Sequence, residues 1–539
     1  MRWRGAGAES TVAKEKAKLV SVSREVELKL EMPVAEVVRV RLSLRRGLGE
    51  GIKQHLVSVY FDTGKHALHK RGLTLRIRSD GKRRIQTVKA TGTTSAYIFD
   101  RLEWETKIEG DKLDLKAAAR TPVGDVLHGS RAYKLLVPIF ETVVDRTTWR
   151  VKRDGSEIEV ALDEGHLSAH GSKQPIAELE LELKRGSPTD LFALARSLDR
   201  VKHLEIGVRS KSECGFALAD GGKPNSFKAQ PIALRPNLSA GQASQIIAHA
   251  CVRHFRLNEP LLIASRSAEP LHQARVAIRR LRSALSLFEP ILTDKVYKRL
   301  KRRLRDVSHQ FGEARDLDVY IARIAGWNVN KGAQLPPFAL NPLGQAQAER
   351  ERAYGRVINT LQSKRFRQFM QDLVAWIQAG RWCTSDEPER QNARDQNVEE
   401  FAARVLDRRR RKLRRHGLYL ERRSPEERHR IRIEAKKLRY ACEFFSGLLA
   451  GRKHRKRYEA FITALGDLQA RLGDLNDIQS GNEIAAELVS RQATPARRSR
   501  AKPRTSHHLS GREKRKAALL SSACEAYQCF SDAEPFFEN

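Results

Sequence analysis

Two periods divide the chain. From about residue 20 to 220, apolar and polar positions alternate with period two, which sends successive side chains to opposite faces of a strand. The stretch "REVELKL" puts Val26, Leu28 and Leu30 on one face and Glu25, Glu27 and Lys29 on the other. Further strands are predicted at "HLVSVYFDT", "LTLRIRS", "RIQTVKA", "RLEWETKI", "TTWRVKR", "SEIEVALDEG" and "IAELELELK". Turn residues such as "SDGKRR" and "KRDGSE" separate several of them. From about 241 the spacing becomes helical nearly to the end. Within that half "NVNKGAQLPPFALNPLG" reads as a loop, and a last helix is expected from roughly Lys514 to Phe530.

The aperiodic "DGGKPNSFKAQPIALRPNLSAG" between the halves reads as a linker. The expected organisation is a flexible N-terminus over 1–20, a strand-rich domain over 21–220, a linker over 221–240 and a helical domain over 241–534. The basic, proline-punctuated stretch 491–513 is expected to be disordered. The fold class is therefore α+β.

Composition narrows the chemistry. The chain has 539 residues, enough for two or three cored domains, and a formal net charge of +36. That field concentrates polyanions such as nucleic acid, anionic membrane or condensed phosphate. No run approaches the roughly 20 apolar residues of a membrane span, and the first twenty residues lack the apolar core of a secretion signal. A cytoplasmic location is expected. Six scattered cysteines without a CxxC pair read as reduced thiols rather than a metal or disulfide framework.

The strand half spends whole faces on charge. Glu178, Glu180, Glu182 and Lys184 share one face of "ELELELK"; Arg76 and Arg78 share another. Arg101, Glu103 and Glu105 are aligned in "RLEWE", while Lys89, Arg146 and Asp163 come from other strands. One such strand fits a half-exposed sheet whose polar face meets water. The set fits a closed barrel with a charged lumen better, because like charges in line repel unless something neutralises them. Acids there suit a hard cation, and arginines and lysines suit phosphate oxygens.

In order along the chain, "EVELK", "VYFDT", "ALHKRGLTLRIR", "QTVKATG", "RLEWE", "ALDEG", "ELELELK" and "SKSECGFAL" resemble the CYTH domain of the triphosphate tunnel metalloenzymes. The resemblance implies an eight-stranded antiparallel tunnel that binds a triphosphate with Mg2+ or Mn2+. It implies metal-ligating roles for Glu25, Glu27, Asp163, Glu180 and Glu182. Phosphate-binding roles fall to Lys29, Arg76, Arg78, Lys89, Arg101, Arg146, Lys184 and Lys211, and catalytic ones to Glu25, Glu27 and Lys29. Relatives commonly carry arginine where this chain has Cys214. The implied reaction is hydrolysis of inorganic triphosphate to pyrophosphate and phosphate, the water being oriented by an acid or by a neutral lysine.

The helical half contains a repeat. "HQARVAIRRLRSALSLF" from His272 matches "HRIRIEAKKLRYACEFF" from His429. At about 100° per residue His272, Arg275, Arg279 and Arg282 form a basic stripe, as do His429, Arg432, Lys436 and Arg439. Apolar faces accompany them: Ala274, Ile278, Leu281, Leu285 and Phe288, then Ile431, Ala435, Leu438, Cys442 and Phe445. Ser424 and Pro425 read as the cap and first turn of the second copy. Each copy is followed by a glycine and, four residues on, an aspartate: Gly312 with Asp316, Gly473 with Asp477. These aspartates read as partners of arginines rather than catalytic groups. The repeat implies two pseudo-symmetric helical bundles.

This half resembles the CHAD domain, which implies a basic groove for inorganic polyphosphate. The two resemblances together imply a hydrolase fused to a polyphosphate-binding module. The alternative is a non-catalytic polyanion binder. Nucleic acid remains open as a partner but ranks lower, since the stripes lack interleaved aromatics for base stacking. No membrane partner is expected.

Overall fold

The computed structural model describes residues 21–537 except 91–97, 128–129, 199–203, 223–224, 332–336, 450 and 491–506. The N-terminal twenty residues and most of the basic stretch 491–513 thus lie outside the described residues. Backbone contacts group the chain into two units, Met1–Thr93 with Phe99–Gly186 and Arg209–Lys223, and Thr94–Ile98 with Ser187–Val208 and Pro224–Asn539.

The first unit is built on β1 (Ser21–Glu31), β2 (Ile52–Thr63), β3 (Leu73–Ser79), β4 (Arg84–Ala90), β5 (Ile98–Ile108), β6 (Leu136–Arg153), β7 (Ser156–Ala169) and β8 (Ser172–Arg185). They run antiparallel in the order β5-β4-β3-β2-β6-β7-β8-β1, and β1 pairs with β5 to close the barrel. Register explains how the charged faces meet. Glu27 lies opposite Glu182, Lys29 opposite Glu180 and Arg146 opposite Asp163, so one parity points inward on every strand. The other parity is apolar where it is covered: Leu28, Leu30, Leu179 and Leu181 are all buried.

An apolar plug fills one end of the barrel. Tyr60, Phe140, Val144, Leu167 and Ile176 gather there around Phe216, which comes from the helix Lys211–Ala219. Ser210 caps that helix reciprocally with Glu213. Gly215 lets the helix come close, because a Cβ there would sit 2.1 Å from the Phe140 ring.

The second unit is helical, and its repeat is visible in the fold. Ala268–Leu287 and Pro425–Phe445 carry the two stripes, each followed by a long helix, Lys295–Lys331 and Arg452–Ser490. Both predicted apolar faces are buried throughout. Ser424 closes a capping box with Glu427, and Pro425 takes the first helical position. Two expectations are corrected. The stretch read as a loop is helical up to Lys331 and again from Pro337, a first-turn position where a missing N–H costs nothing. The last helix starts at His507, seven residues before Lys514, within the stretch expected to be disordered. Among the described residues no helix is long and apolar enough to cross a membrane.

Candidate functional site

Alternation along seven of the strands, with Lys211 added from the helix Lys211–Ala219, delivers the charged side chains to one cavity of about 460 Å³ inside the barrel. All thirteen tunnel residues named from the sequence line it: Glu25, Glu27, Lys29, Arg76, Arg78, Lys89, Arg101, Arg146, Asp163, Glu180, Glu182, Lys184 and Lys211. Lys89 Nζ donates to both oxygens of Glu25 at 2.7 Å, and Arg101 Nη2 reaches Glu27 at 2.7 Å. Arg146 grips Asp163 bidentately at 2.7 and 2.6 Å and Glu180 at 2.5 Å. Glu182 and Lys184 pair with each other at 2.7 Å and are the more exposed members.

The depth of the cavity holds a layer of its own. Carboxylate oxygens of Asp163, Glu178 and Glu180 lie within 4.8 Å of one another. Lys211 Nζ stands among them, 2.6 Å from Asp163, 2.7 Å from Glu180 and in contact with Glu178. Lys29, 2% exposed, pairs with Glu178 at 2.5 Å and donates to the Arg209 carbonyl at 2.9 Å. Burial pushes both ammonium groups down, but these carboxylates overcome it and hold their pKa values above the usual lysine range. These ion pairs favour the charged form of both lysines. Glu178 was missed as a site residue, although its place on the Glu180 face was the available signal. Cys214 packs on the plug instead of entering the cavity, and burial pushes its thiol up.

Two groups of side chains are left in unbalanced surroundings. Burial and the neighbouring Glu25 and Glu180 push the Glu27 carboxyl up, despite Arg101. Burial also acts on Glu25, but Lys89 and Arg101 outweigh it and leave its carboxyl low. On the other side, burial together with Arg76 and Arg146 pulls the Arg78 guanidinium down to about 10. The buried Arg76 Nε and Nη2 and Arg78 Nε have no hydrogen-bond partner among the described residues. Unused guanidinium donors in a closed space suit a multidentate anion.

Whether a divalent cation fits follows from the charges. Among the described residues the lining carries eight acidic and nine basic side chains, so it is close to neutral by itself. A condensed phosphate entering alone would leave that space strongly negative. The carboxylate oxygens of Asp163, Glu178 and Glu180, within 4.8 Å of one another, are hard donors of the kind a divalent cation takes, so these residues fit such an ion.

In the helical unit a groove of about 720 Å³ is lined by Arg275, Arg279, Arg282, His429, Arg432 and Lys436, among others. Among the described residues no acidic side chain lines it. Gly312 and Gly473 back Arg275 and Arg432 symmetrically, with a Cβ 3.6 and 3.3 Å from the respective Nη2. Arg275 also pairs with Asp316 at 3.7 Å, while the side chain of Asp477 is outside the described residues. His272 does not line the groove; burial, then the charge of Arg315, pull its imidazole down. Arg439 is drawn aside to Glu443 at 2.9 Å, one helical turn on. A third wall was missed: Lys298, Lys301, Arg302 and Arg305 on the helix Lys295–Lys331, whose i, i+4, i+7 spacing was legible in "KRLKRRLR".

Comparison with known proteins matches residues 23–215 to the CYTH domain model and 246–486 to the CHAD domain model. An inorganic triphosphatase of Haemophilus influenzae is 30% identical over 201 residues, 36% of this chain and 55% of that protein. The chain thus spans about half the length of that relative. Among solved structures, the CHAD domain of the plant Ricinus communis is 24% identical, with TM-score 0.43, over 57% of this chain and 93% of that one. A Hippeastrum protein described as having a dominant triphosphatase activity is 21% identical, with TM-score 0.27, over 37% of this chain and 97% of that one. Residues 23–215 of this chain are therefore a CYTH domain and residues 246–486 a CHAD domain.

Proposed function

We propose that the tunnel hydrolyses inorganic triphosphate to pyrophosphate and phosphate with a divalent cation, and that the helical groove binds inorganic polyphosphate. The observation that carries the first half is the enclosure of Arg76 and Arg78 donors without hydrogen-bond partners in one cavity with the acids Glu25, Glu27, Asp163 and Glu180. Those acids would hold Mg2+ or Mn2+, which when bound neutralises phosphate oxygens and polarises the phosphorus under attack. Arg76 and Arg78 bind the phosphate chain, and Arg101 and Lys89 keep Glu27 and Glu25 in place. Because Lys29 and Lys211 are held charged, a carboxylate orients the water. The relative from Haemophilus influenzae, named an inorganic triphosphatase, supports this choice of substrate.

The test is phosphate release with Mg2+ from tripolyphosphate, ATP, thiamine triphosphate and long-chain polyphosphate. Tripolyphosphate should be the best substrate, and Glu27→Ala and Glu180→Ala should each lower turnover by about 10²-fold or more. A folded parent protein that releases no phosphate from any of the four would sink the hydrolase reading. For the groove, Arg279→Ala/Arg432→Ala should weaken polyphosphate binding and leave triphosphate turnover unchanged.

A further inference from the structure

The helix Val398–Gly417 contains "RRRRKLRR", in which seven of the eight residues from Arg408 to Arg415 are basic. Some of these have structural employment. Arg410 donates to the Ala533 carbonyl and Arg414 to Ser531 Oγ, which ties this helix to the end of the last one. Leu413 is buried. Arg409 is largely buried near Glu434. That leaves Arg408, Arg411, Lys412 and Arg415, all exposed, with Arg404 one turn before them. At 100° per residue these five fall within an arc of about 100°, a single outward face running roughly 16 Å along the axis.

Like charges three and four residues apart destabilise a helix. Among the described residues of this stripe, Arg411 pairs with an acid of its own helix, Asp407. Lys412 has a different connection. Its Nζ lies 3.4 Å from Glu434 Oε1, the same oxygen that Lys437 Nζ holds at 2.8 Å. Lys437 lines the groove. One carboxylate oxygen on the helix Pro425–Phe445 thus joins a lysine of the groove wall to a lysine of the outer stripe.

We infer that the stripe Arg404, Arg408, Arg411, Lys412 and Arg415 is a second anion track that continues the groove and engages long polyphosphate chains. This rests on the polyphosphate reading of the groove. A linear anion with a charge at every unit meets a linear row of cations, and the stripe carries no aromatic platform between its charges for stacked bases. A chain short enough to lie inside the groove gains nothing from the stripe. A longer one leaves past Lys437 and Lys412 and lies along the outer face.

The test uses the full chain and measures binding of polyphosphate about 10 and about 100 units long, and of a 30-base-pair DNA duplex, at one fixed salt concentration. The variants are Arg408→Ala/Arg411→Ala/Arg415→Ala and, separately, Arg279→Ala/Arg432→Ala. The parent should bind the long chain more tightly than the short one. The stripe variant should lose roughly tenfold on the long chain, as three exposed charge contacts allow, with the short chain unaffected. The groove variant should lose affinity for both. A stripe variant that binds long chains as the parent does overturns the track, as does one that loses only DNA. If the groove variant leaves both lengths unaffected while the stripe variant weakens both, the polyphosphate reading of the groove fails instead. Circular dichroism of the stripe variant should match the parent, since every substituted side chain is exposed.

Discussion

Lys29 and His249 show how single buried groups set the terms for their surroundings. The Lys29 ammonium joins Glu178 of β8 to the Arg209 carbonyl, which precedes the helix carrying Lys211. Replacing it with methionine strips Glu178 of one of two cations in a buried layer. Lys29→Met should therefore lower stability by about 3 kcal/mol in urea unfolding, and Lys29→Met/Glu178→Gln should recover part of that loss. Strictly additive losses would remove Lys29 from this tethering role. His249, 1% exposed, lies 3.0 Å from Gln378, and burial drives its imidazole from 6.5 down to about 3. The unfolded chain takes up a proton as pH falls through 6.5, while the folded chain refuses it until about 3. Its contribution is complete above 6.5 and is lost on acidification, on the order of 2 kcal/mol near pH 5. His254, pulled to about 4 by burial and by Arg280, acts in the same direction. The stability gap between the parent and His249→Gln should narrow from pH 7 to pH 5, and parallel profiles would contradict this account.

At the scale of elements, the short helix Lys211–Ala219 does two jobs that one substitution should disturb together. Its Phe216 seals the barrel end and its Lys211 neutralises the deep carboxylates. Gly215→Ala would drive a Cβ into Phe140, so the helix must shift. That should destabilise the first unit by about 1–3 kcal/mol and weaken triphosphate binding, while Ser424→Ala in the second unit should cost about 1 kcal/mol without touching turnover. A Gly215→Ala protein with parental thermal stability and KM would show that the plug tolerates repacking. The same elements explain what could be read in advance. Period two fixes which side chains share a face, so the inward ladders of β1, β3 and β8 were legible before their partners were known. What alternation does not give is depth: Glu178 and Glu182 share a face, yet one ends among Lys29 and Lys211 and the other beside the exposed Lys184. In the helical repeat, Arg282 and Arg439 occupy the same phase, but Glu443 follows only the second by four residues and draws it from the groove. That difference was present in the sequence and carried more weight than the shared period. The loop expected around Pro337 was misread because proline density was taken as interruption, where proline opens a helix.

Across the whole molecule the charges lining the two candidate sites are arranged in opposite ways. The tunnel lining balances nine basic side chains against eight acidic ones, whereas the groove lining is basic without an acid. The surplus behind the net charge of +36 therefore bears on the groove and not on the tunnel. On the proposed function, a condensed phosphate should enter the tunnel only with cations that replace the missing positive charge, and should enter the groove alone with release of its own condensed counterions. Chelation should separate the two. In EDTA triphosphate hydrolysis should vanish, while polyphosphate should still bind, with an affinity that falls steeply and linearly in log–log form as monovalent salt rises. Glu27→Ala should leave that binding and its salt slope unchanged, and Arg279→Ala/Arg432→Ala should make the slope shallower by about two contacts. Polyphosphate binding that disappears with EDTA would mean that the groove also depends on a bridging cation, and the division between a balanced tunnel and an unbalanced groove would have to be abandoned.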